Sequence, residues 1–85
     1  MTKAILNITY NGLSVDVPGA LDYRTSDFDL KRIAVEVIRS GDLRGLQVAN
    51  LSETAFRHFV VDRFNTPEGG QRIYLRPKVP FGAAV

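Results

Sequence analysis

Residues 3–19 read KAILNITYNGLSVDVPG, and the fold turns on how this stretch is read. Ala4, Leu6, Ile8 and Tyr10 recur at period two, the spacing of one face of a β-strand, and Leu13, Val15 and Val17 repeat it after a break. The break is Asn11-Gly12. A type I′ turn needs positive φ at both central positions, which this pair adopts at little cost, so the stretch predicts a β-hairpin. Pro18-Gly19 ends its second strand.

The next stretch, RTSDFDLKRIAVEVIRSGD at 24–42, changes period. Leu30, Ile33, Ala34, Val37 and Ile38 fall at i, i+3, i+4, i+7 and i+8, one stripe of an amphipathic helix. Thr25 or Ser26 caps its free amides, and Asp27 and Asp29 place negative charge in its first turn. Arg39 sits in the last turn and Gly41 supplies a left-handed C-cap. Such a helix is about 21 Å long, enough to cross a four-stranded sheet.

After it, LRGLQVANLSETA (43–55) predicts at most a short edge strand at Leu46 and Val48 and a helical turn from Ser52. AFRHFVVDRF (55–64) and QRIYLRPK (71–78) predict a second hairpin through NTPEGG (65–70), with Pro67 early in the turn and Gly69-Gly70 supplying positive φ. In the last strand Ile73 and Leu75 face one way, Arg72, Tyr74 and Arg76 the other. The order is therefore β-β-α-β-β. A helical crossover favours a mixed sheet with the first and last strands parallel at its centre, and one helix covers one sheet face. The expectation is an α+β fold of β-grasp type, with Ile8, Val15, Ile33, Val37, Ile73 and Leu75 packed together.

Composition bounds the rest. Eighty-five residues form one small domain with a modest core. The 45% apolar and 24% charged content is that of a globular chain. Absence of cysteine excludes disulfides and thiolate chemistry and fits a reducing compartment. No apolar run approaches the roughly 20 residues of a membrane span, and the alternating start is no signal peptide, so a cytoplasmic protein is expected without membrane association. Net charge is only +2, but residues 55–85 carry five basic side chains against two acidic ones.

The chain resembles ubiquitin-like protein modifiers of prokaryotic type over residues 3–82. The resemblance rests on AILNITYNGLSVDV, the helix opened by TSDFDLKRIAVEVI, the final strand RIYLRPK and a tail that reaches a glycine. It implies a ubiquitin-like β-grasp domain at 1–78 and an extended tail at 79–85. It also implies that an E1-like activating enzyme adenylates Gly82 after a processing peptidase removes Ala83-Ala84-Val85. Phe81 stands where that family usually has the first of two glycines. A second implication is that the open sheet face recognises partners.

The residues themselves point the same way. FRHFVVDRF is apolar on both strand parities, with Phe56, Val60 and Phe64 on one and Phe59 and Val61 on the other. One helix covers one face only, so part of this strand is expected to form an apolar protein-docking patch rimmed by arginine. The expected docking residues are Phe59, Val60, Val61, Arg72, Tyr74, Arg76, Lys78 and Phe81, with Gly82 and Ala83 at the processing point. Pro77 and Pro80 favour an extended tail, in which Arg76 and Lys78 steer and Phe81 is read by a groove. Alternatively, the AAV carboxyl end is itself the ligand of a carboxylate-binding domain.

Two other readings stand beside these. Arg72, Tyr74 and Arg76, with Arg57, Arg63 and Lys78 near, resemble an RNA- or DNA-binding platform of cations and a stacking ring. A non-conjugated interaction module is the other alternative. Catalysis finds no support. His58 and Asp62 are about 13 Å apart if both lie in a strand, too far for a dyad. Asp27 and Asp29 are helix-start charges, and EGG lacks the spacing of a phosphate loop. No cofactor or metal is expected.

Overall fold

The computed structural model describes residues 3–41, 43–67 and 70–78. The hairpin forms as its sequence requires: β1 (Lys3–Tyr10) and β2 (Leu13–Asp16) pair antiparallel, with Tyr10 opposite Leu13. Asn11 and Gly12 sit between them at φ 50° and 80°. The ladder continues past β2, where Val17 N–H donates to the Leu6 carbonyl at 2.8 Å. A two-residue strand that the sequence pattern does not foretell, β3 (Leu21–Asp22), then pairs antiparallel with the start of β1.

Helix α1 runs Asp27–Ser40. Ser26 Oγ accepts from the Asp29 amide at 3.1 Å, and Gly41 closes the helix at φ 82°. Strands β4 (Val60–Asn65) and β5 (Gln71–Arg76) form the second hairpin. β5 inserts beside β1 and runs parallel to it, with Ile5 opposite Arg72 and Ile8 opposite Leu75. The sheet order is β2-β1-β5-β4, with β3 paired to β1 off that path. One face of this mixed sheet packs on α1 through Leu6, Ile8, Ile73 and Leu75, which join Leu30, Ala34 and Ile38 in one core. The architecture is α+β with a β-grasp arrangement.

Three details differ from the sequence expectation. The buried helix arc is Leu30, Ala34, Val35 and Ile38, while Ile33 and Val37 are only half-buried. Ile33 leaves the predicted core, because the helix is turned toward residues 43–59, which cover its Val35 side. In that segment no strand forms at Leu46 and Val48. It folds as successive tight turns, including Ala55 N–H to the Ser52 carbonyl at 3.1 Å and Phe59 N–H to the Phe56 carbonyl at 3.0 Å. These turns point Leu43, Leu46, Leu51 and Phe56 into the core, each at most 4% exposed. The strand expected from Ala55 therefore starts only at Val60, and His58 is an exposed turn residue.

The third difference lies in the β4–β5 turn. Gly70 is absent from the positive-φ residues. A Cβ there would meet Thr66 Oγ1 at 3.0 Å, and the Gly70 amide donates to that same hydroxyl at 2.9 Å. Close approach, not left-handed backbone, is what glycine supplies at this position.

Candidate functional site

The sheet face away from α1 is built by alternation. On β5, Ile73 and Leu75 are fully buried, so Arg72, Tyr74 and Arg76 point outward, as their spacing predicts. The registers place Asp62 opposite Tyr74, Phe64 opposite Arg72 and Val60 opposite Arg76 on β4. On the other side they place Asn7 beside Tyr74 and Asp16 beside Asn7. Strands from the first and last parts of the chain thus share one surface.

Its charges are matched in pairs. Arg72 Nη2 donates to Asp16 Oδ1 at 2.6 Å, and its Nε donates to the Tyr74 hydroxyl at 3.0 Å. The guanidinium carbon also lies 5.5 Å from the Tyr74 ring centre. The hydrogen bond to Tyr74 raises the Arg72 pKa, desolvation opposes it, and the charge of Asp16 adds a lesser upward pull; the guanidinium is a cation throughout. Arg76 Nε donates to Asp62 Oδ2 at 2.6 Å. Asn7 Nδ2 donates to Asp16 Oδ1 at 2.9 Å and its Oδ1 accepts from Ser14 Oγ at 2.8 Å, so Asp16 is itself held in place.

Over this polar frame stands Phe64, 51% exposed, edge-to-face with Tyr74 at 5.5 Å between ring centres. Asp62, Phe64, Tyr74 and Arg76 enclose a shallow notch of about 240 Å³. Two aromatic walls and one ion pair give it an apolar interior with a polar lip. The notch has room for one apolar side chain. It offers no unpaired acid or base for proton transfer.

The face is narrower than the sequence suggests. Val60 is half-buried and shares the parity of Asp62 and Phe64. Phe59 and Val61, expected on the docking surface, instead pack against the core. Phe59 meets Phe56 edge-to-face at 4.7 Å and stacks with Tyr10 at 6.4 Å, an aromatic cluster that closes one end of the core. Arg63 also turns inward from this surface. Its guanidinium donates to the Tyr23 and Thr25 carbonyls and pairs with Asp27 at 2.9 Å, pinning the loop before α1. Lys78 is exposed just past β5. Phe81, Gly82, Ala83 and the rest of the 79–85 tail lie outside the described residues.

Sequence reasoning missed the acids. Asp16 and Asp62 are distant from Arg72 and Arg76 along the chain, and only the register brings them together. It also missed a second concavity, between α1 and the turns at 53–57, of about 670 Å³. Its one sequence signal was Phe28 and Val35, apolar residues that fall off the Leu30 stripe. Among the described residues no helix is long and apolar enough to cross a membrane. Comparison with protein-family models, with curated proteins and with solved structures finds no match to this chain.

Proposed function

We propose that this chain is a protein-docking domain without chemistry of its own, whose open sheet face receives an apolar side chain of a partner protein beside Phe64 and Tyr74. The observation that carries the reading is Phe64, an aromatic ring half exposed on an edge strand and rimmed by charges that are already paired. Exposed aromatics at the centre of a polar rim are the usual anchors of protein interfaces. The cross-strand contact with Tyr74 supports the sheet, yet half of the ring still faces solvent and a polar residue there would leave the core untouched.

The same pairing argues against phosphate as the target. Arg72 and Arg76 already hold Asp16 and Asp62, so this face offers a nucleic-acid backbone little net positive charge. An apolar anchor of a protein partner does not depend on that charge.

The experiment is site-specific photo-crosslinking in cells of the protein's own source, with a photoreactive phenylalanine at position 64. The expected result is a discrete protein adduct that disappears when Tyr74→Ala is introduced into the same chain. Crosslinking to nucleic acid, or an adduct pattern indifferent to Tyr74→Ala, would overturn the proposal.

A further inference from the structure

We infer that the groove between α1 and the turns at 53–57 is a second docking site, and that its occupant is an acidic amphipathic peptide segment of another protein. The groove lies on the helix side of the molecule and stands independently of the sheet-face reading. Its helix wall is a second stripe: Phe28, Lys31, Val35 and Arg39 recur at i, i+3, i+7 and i+11. Val35, 3% exposed, floors it, and Phe28, 76% exposed, stands at its rim. No packing within the described fold accounts for a phenylalanine in the first turn of α1, where alanine makes a better helix.

Charge selects the occupant. The lining carries Lys31, Arg32, Arg39 and Arg57 against Glu36 and Glu53, in a chain whose total charge is only +2. Arg32 is neutralised locally by Asp29 and Glu36, at 3.7 and 3.5 Å. Lys31 and Arg39 donate to backbone carbonyls, of Arg57 at 3.2 Å and Leu51 at 2.6 Å, which satisfies donors without cancelling charge. Arg57 has no acidic partner among the described residues. These cations do not converge on one point. From Lys31 to Arg39 is about 12 Å of helix at 1.5 Å per residue. A single phosphate cannot span that distance, whereas a peptide helix with carboxylates on both flanks of an apolar stripe can. Helix-in-groove recognition of this kind uses apolar anchors at i, i+4 and i+7.

The test is fluorescence anisotropy with a synthetic, labelled amphipathic peptide bearing leucines at i, i+4 and i+7 and glutamates between them. A matched peptide with lysine at every glutamate, and a mixed single-stranded oligonucleotide as competitor, complete the set. The expected result is saturable binding of the acidic peptide alone, weakened about tenfold or more by Phe28→Ala and by Arg57→Glu. Both side chains are exposed, so the variants should keep the wild-type melting temperature. Amide shift changes should map to 28–39 and 53–57 and leave 60–64 and 72–76 unmoved; this mapping decides the matter even if a variant fails to fold. Absence of binding at millimolar peptide, equal binding of the lysine peptide, displacement by the oligonucleotide, or shifts on the sheet face would each overturn the inference.

Discussion

Truncation of two aliphatic side chains on α1 gives a measurement of how the helix is turned. Leu30→Ala and Ile33→Ala each remove three methylene-sized groups, one turn apart on the same helix. Leu30 is fully buried between helix and sheet, so the transfer loss of about 2.4 kcal/mol, at about 0.8 per group, is joined by the cost of an enclosed cavity. The sum is about 3–5 kcal/mol. Ile33 is half-buried and outside the core, so roughly half the transfer loss applies and no closed cavity forms, about 1 kcal/mol. For a domain of this size each kcal/mol moves the melting temperature by about 4–8 °C. Leu30→Ala should therefore lower it by at least about 12 °C, and Ile33→Ala by about 4–8 °C. Total stability of about 4–13 kcal/mol makes the first loss a large share of the whole. Urea and thermal unfolding followed by circular dichroism read both variants. Equal losses, or a larger loss for Ile33→Ala, would show the stripe centred on Ile33 facing the sheet and would refute this packing.

Two further outcomes can be measured, one resting on the sheet face and one on the sequence resemblance. Filter binding of mixed oligonucleotides at two salt concentrations should show weak retention that Arg72→Ala and Arg76→Ala leave almost unchanged. A steep salt dependence reduced by either variant would restore the nucleic-acid reading. The resemblance to ubiquitin-like modifiers makes a separate forecast: a chain ending at Gly82 should be adenylated by an E1-like enzyme, and Gly82→Ala should block processing. Intact-mass measurement on protein from its own source checks it, and a mature form still ending at Val85, with no adduct on any lysine, would rule it out.

What the sequence alone determined is what neighbouring residues can enforce. The turn at Asn11-Gly12 is set by backbone sterics at two positions, and the helix limits by Ser26 and Gly41, whose bonds lie within one turn. The alternation of Ile73 and Leu75 with Arg72, Tyr74 and Arg76 follows from pleat geometry, so the β5 half of the outer sheet face is legible in the strand's own residues. Tertiary structure decided the rest. Residues 43–59 have no period to read, because their leucines and Phe56 are gathered into the core by tight turns instead of a ladder. By covering Val35 they turn the helix away from its apparent stripe, and by keeping Phe59 on the core they remove it from the apolar patch that its stretch of sequence predicts. Asp16 and Asp62 became partners of Arg72 and Arg76 only when β5 inserted between β1 and β4, in the first case a pairing across most of the chain. Local sterics act over a few residues and can be read from them. Which apolar surface is finally buried depends on every segment competing for the same core, and no single stretch carries that information.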